Sequence, residues 1–139
     1  MDDADNTRRA SLDTKWGTAI TGGLNGYQLF PDAIVRNQKA LGLDATDMVV
    51  LLNICMHWWE TAPEKWPHPR PAVIAQRMGT TTRTVERHIG RLSKLGFLKW
   101  LPTEQRYDAP SVRRFDLTGL VSKLQKMVEK GNIDQNIAA

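Results

Sequence analysis

Apolar residues recur along this chain in short helical stretches separated by glycine and proline. Behind Pro31, the residues Ile34, Val35, Gln38 and Leu41 share one side of a helix that would end at Gly42. Pro31 suits the first helical turn, and Asp32 suits the positive end of the helix. Asp44 reads as the N-cap of a second helix on which Met48, Leu51, Leu52, Cys55 and Trp59 follow at the helical period. That helix is apolar over most of its circumference, which marks it as the central one. The four prolines at Pro63, Pro67, Pro69 and Pro71 make the segment before the third helix a loop, with room for a minimal strand around Trp66.

Two shorter patterns come next. Val73, Ile74, Arg77 and Met78 belong to a helix over 71–78 that Gly79 breaks. Val85, Ile89, Leu92 and Leu95 belong to a helix over 82–95 that Gly96 ends in a C-cap position. Residues 97–101 and 112–116 read as two strands of a hairpin joined by a polar loop. A last amphipathic helix begins at Leu117, carries Leu120, Val121, Leu124, Met127 and Val128 on one stripe, and stops at Gly131. Residues 1–26 hold no sustained period and read as a flexible arm. The expected organisation is therefore an arm at 1–26, a mainly α domain with a small β hairpin at 27–116, a C-terminal helix at 117–130 and a frayed tail at 131–139.

Composition narrows the class. At 139 residues, 41% hydrophobic and 24% charged, the chain suits one domain with an ordinary core. The single cysteine, Cys55, excludes an internal disulfide and any multi-cysteine metal site. The longest apolar run, around 48–56, is well short of the ~18 residues of a membrane span. The first residues are acidic and lack the apolar stretch of a signal peptide, so a cytoplasmic protein is expected. Cys55 and His57 have a ligand-like spacing, but His68 and His88 do not complete a metal set, so core packing is the reading and no metal or cofactor is expected. No nucleophile–base arrangement, glycine-rich phosphate loop or paired acidic site is visible, so no enzyme is expected.

Charge is distributed unevenly. The chain carries +4 overall. Between Arg70 and Lys99, seven basic residues face Glu86 alone, a surplus of six, so the rest is slightly acidic. A basic segment on such a chain is the footprint of a polyanion-binding face. Within it, Ala75 is small enough for two helices to touch, and Gly79, four positions later, tolerates the turn between them. Thr81 can cap the second helix, leaving the amides of Thr82 and Arg83 near its positive end. Val85 and Ile89 anchor that helix inward. Thr82, Arg83, Thr84, Glu86, Arg87, Gly90 and Arg91 face outward, and threonine and arginine suit phosphate oxygens and base edges.

The run from Ile74 to Leu98, with Ala75, Gly79, the Arg83-Thr84-Val85-Glu86-Arg87 stretch and the exit Leu92, Gly96, Phe97, Leu98, resembles the bacterial winged helix-turn-helix family. Trp66-Pro67 with Pro69 resembles the short stretch that precedes the first helix of that motif, and His68 and His88 depart from the family pattern. The family includes transcription regulators and the DNA-binding parts of plasmid and phage replication proteins. The resemblance implies a winged helix-turn-helix that binds double-stranded DNA through Thr81, Thr82, Arg83, Thr84, Arg87, Arg91 and Lys94, with Arg106, Arg113 and Arg114 around the wing. It also implies a homodimer, paired through the terminal helix. The main expectation is a sequence-specific transcriptional regulator. The alternatives are a replication-initiation or partition factor of a plasmid or phage, and a winged helix that serves only protein contacts.

Overall fold

The computed structural model describes residues 3–23 and 26–131. It is mainly helical with one small antiparallel sheet. In chain order the elements are α1 (Asp3–Trp16), α2 (Asp32–Arg36), α3 (Ala45–Met56), α4 (Pro71–Met78), α5 (Thr82–Lys94), β1 (Lys99–Trp100), β2 (Phe115–Asp116) and α6 (Thr118–Lys130). The tail expected to fray lies, beyond Gly131, outside the described residues.

The core is built on α3. Val50, Leu51 and Ile54 are fully buried and meet Ile34 of α2, Ile74 of α4 and Val85, Ile89 and Leu92 of α5. Each such side chain contributes roughly 1.5–3 kcal/mol through its removal from water. Asp44 caps α3 by accepting from the Asp47 amide at 2.7 Å, and the Asp47 side chain accepts from the Asp44 amide at 3.0 Å. This reciprocal pair is a capping box.

Several elements differ from the sequence pattern. α1 forms where no period is visible, and none of its residues is buried. Asp3 and Asp5 in its first turn and Lys15 in its last complement the helix dipole. α2 ends after Arg36 rather than at Gly42: Asn37 leaves helical backbone at φ −116° and ψ 21°, and Ala33 O accepts from both the Asn37 amide at 3.1 Å and its side chain at 2.8 Å. Val35, expected on the inner side, is 48% exposed, while Ile34 is fully buried.

The hairpin is also shorter than expected. β1 and β2 pair Lys99 with Asp116 and Trp100 with Phe115, and only an isolated bridge between Glu104 and Val112 lies beyond them. Pro102 has no N–H to continue the ladder past Leu101. At the other end Phe97 is used differently. Its N–H closes the α5 terminus on Leu92 O at 3.0 Å, and its carbonyl accepts from Leu120 N at 2.8 Å. No strand forms around Trp66, but Pro67 O accepts one hydrogen bond from Phe115 N at 2.9 Å.

α6 starts where Asp116 accepts from the Thr118 amide at 2.8 Å. Its apolar stripe is split. Leu120, with Leu117 just ahead of the helix, is buried in the domain's own core and Leu124 packs partly against it, whereas Val121 and Val128 are 47% and 58% exposed.

Candidate nucleic-acid interface

The candidate interface is built on α4, a tight turn and α5. Pro71 occupies the first turn of α4, where a missing N–H costs nothing. Ile74 and Ala75 point inward. Gly79 has φ 71°, and the chain folds back with Thr80 N donating to Ala75 O at 3.0 Å. A residue with a Cβ would be strained at that φ. Thr81 then caps α5, its hydroxyl accepting from Thr84 N at 3.2 Å and lying 3.0 Å from Thr84 Oγ1.

α5 buries Val85, His88, Ile89 and Leu92, a stripe that fixes its rotation. The residues left outside are Thr81, Thr82, Arg83, Glu86, Arg87, Gly90 and Lys94, all exposed, with Thr84 half-buried. The threonines and the two arginines thus share the N-terminal half of the helix. Among the described residues, neither Arg83 nor Arg87 has a side-chain partner. Lys94 is at the opposite end, in the last turn.

Arg91 is placed differently. Its Nε and Nη2 reach both oxygens of Asp47, at 2.9 to 3.3 Å, and Nη2 also donates to Gly42 O at 3.2 Å. His88 Nδ1 lies 2.6 Å from Asp47 Oδ1. A carboxylate only accepts, so Nδ1 carries the proton. Burial alone would raise the Asp47 pKa, but the hydrogen bonds from Arg91, His88 and the Asp44 amide outweigh it and hold it at about 2. Asp44, Asp47 and His88 bring donor atoms within 4.8 Å of one another in the manner of a metal set, yet the cation bound there is the Arg91 guanidinium. Sequence reasoning missed this network. His88 and Arg91 are one turn apart on α5, but nothing local points them at Asp47.

Around the hairpin, the four basic residues also divide. Arg106 and Lys99 are exposed. Arg113 lies with its guanidinium 4.0 Å from the centre of the Trp100 ring and donates to Leu101 O at 2.7 Å. Arg114 pairs with Glu104 at 3.0 Å and donates to Trp66 O at 2.8 Å. These two arginines hold the hairpin to itself and to the loop before α4. Burial pushes the Cys55 thiol up to about 12, so it stays protonated at neutral pH.

The chain matches the family model described as the DnaD N-terminal domain over residues 30–135. No curated protein matches it. Among solved structures it is similar to the crystal structure of the N-terminal domain of DnaD protein from Geobacillus kaustophilus HTA426, at 18% identity and a TM-score of 0.48, over 96% of this chain and 100% of that one. The family match begins at Phe30, ahead of α2, and runs past the end of α6, taking in every element of the core described above. On that match, which covers well over half of its length, the chain belongs to the DnaD N-terminal domain family.

Proposed function

We propose that this chain is the DNA-contacting module of a replication-related protein, built as a winged helix and acting without catalysis. Its family membership favours that role over the transcriptional regulator that the helix pattern first suggests. The observation that carries the reading is the outer surface of α5. There Arg83 and Arg87 stand beside the hydroxyls of Thr81 and Thr82, at the positive end of a helix whose inner face is locked into the core.

In this reading the N-terminal half of α5 enters the major groove of a duplex. Arg83 and Arg87 supply the base-edge or phosphate contacts, with Thr81, Thr82 and Thr84 on the adjacent backbone. Lys94, Lys99 and Arg106 neutralise phosphates further along. Arg91, Arg113 and Arg114 take part through positioning, since their guanidinium groups are engaged within the fold. Two copies pair through the exposed valines of α6 and present two such helices to one duplex.

The test is duplex binding by Arg83→Ala and Arg87→Ala, singly and together, at several salt concentrations. A residue that reads a base loses about 1–3 kcal/mol on its preferred sequence, and one that binds phosphate weakens all sequences alike and lowers the salt slope. Unchanged affinity of the double variant for both specific and random duplexes would remove α5 from the interface.

A further inference from the structure

A second basic surface lies away from the outer face of α5. Two open grooves meet at His68, Pro69 and Arg70, in the loop that leads into α4. The first, of about 310 Å³, runs past His57, Trp59 and Arg77. The second, of about 200 Å³, runs past Trp100 and Arg113 toward the hairpin loop. At these volumes they lie at or below the ~300–1,000 Å³ typical of enclosed small-molecule sites. Two open grooves that share three lining residues suit an extended chain better than a compact ligand.

Their chemistry alternates rings and cations. Trp59 is 64% exposed, an uncommon position for so large an apolar side chain. Arg70 is exposed and has no ion-pair partner among the described residues. Arg77 donates to His57 Nε2 at 3.0 Å, and no carboxylate lines either groove among the described residues. His57 is held below its ordinary pKa by burial first, and then by electrostatic interaction with Arg77 and His68. Arg70 and Arg77 thus line the first groove with no carboxylate beside them among the described residues.

We propose that the joined grooves form a track for a single strand of nucleic acid, with a base stacked on Trp59 and its phosphates held at Arg70 and Arg77. Phosphates supply the missing negative charge. An exposed indole face is open to an unpaired base and closed to one inside a duplex. The site uses none of the residues assigned to the duplex contact on α5, so the two readings stand or fall separately.

The experiment is fluorescence anisotropy of a labelled oligothymidylate titrated with the full chain at low salt. Binding is expected. Trp59→Ala and Arg70→Ala should each weaken it about tenfold, in keeping with the loss of one stacked base or one phosphate contact. Trp59→Phe should keep most of the affinity. Both side chains are exposed, so melting temperatures should match the parent. If Trp59→Ala does lower the melting temperature, Arg70→Ala decides alone. No binding at low salt would overturn the proposal, as would parental affinity in both alanine variants. Displacement by polyglutamate as efficient as by unlabelled oligothymidylate would also overturn it, because it would mark a site for acidic peptides.

Discussion

The guanidinium of Arg91 grips both carboxylate oxygens of Asp47, which lies 44 residues earlier in the chain. Asp47 is fully buried and also closes the capping box of α3, so one carboxylate joins the start of the central helix to the last turn of α5. The Arg83 and Arg87 surface is aimed by this joint together with the apolar stripe beneath it.

The joint makes stability acid-sensitive. The folded-state pKa of Asp47 is about 2 against an ordinary 3.8, so the carboxylate's contribution is fully present above 3.8 and is lost as pH falls toward 2. The shift corresponds to about 2 kcal/mol. Denaturant unfolding of Asp47→Asn should show about that loss at pH 7, with the gap to the parent closing between pH 4 and 2. A gap that stays constant over this range would show that the ion pair is not its source. Arg91→Lys should itself show part of that loss, because an ammonium cannot span both oxygens.

Two glycines should respond in opposite directions to alanine. A Cβ at Gly119 would stand 2.1 Å from the backbone oxygen of Gly96, where α6 crosses the end of α5. Backbone has to move, so Gly119→Ala should cost about 1–3 kcal/mol or more and loosen α6. Gly90 sits on the exposed side of α5 with nothing within 4 Å of such a Cβ. Gly90→Ala should stabilise by roughly 0.5–1 kcal/mol through helix propensity. Thermal melts of the two variants check both signs.

The proposed pairing through α6 would use the two valines that the fold leaves outside. Val128 is 58% exposed, so Val128→Asp should leave the melting temperature close to the parent while halving the mass seen by light scattering and lowering duplex affinity. Leu124 is less suitable for this test because it packs partly against the domain's own core. A clean 15.7 kDa species for the parent protein at micromolar concentration, with duplex binding intact, would rule the dimer out.

The ends of α4 and α5 were legible in the sequence because their causes are local. Gly79 and Gly96 adopt positive φ at helix ends, and Thr81 caps the helix it precedes. Each such signal acts within about one turn. The inner face of α5 was legible for the same reason, since Val85, Ile89 and Leu92 repeat at the helical period and any partner surface buries them. The outward position of Arg83 and Arg87 follows directly.

Tertiary structure decided what depends on distant partners. Arg91 has the spacing of an outward residue, and only the arrival of Asp47 from α3 turns it back. The stripe of α6 is continuous in the sequence, but the crossing at Gly96 reaches only its first turns, so Leu120 is buried and Val128 is not. The grooves at Arg70 combine Trp59, Arg77 and Trp100 from three parts of the chain. Helical period and capping are properties of neighbouring residues and can be read along a line. Which charge meets which, and which apolar face is covered, is set by where the helices cross in space.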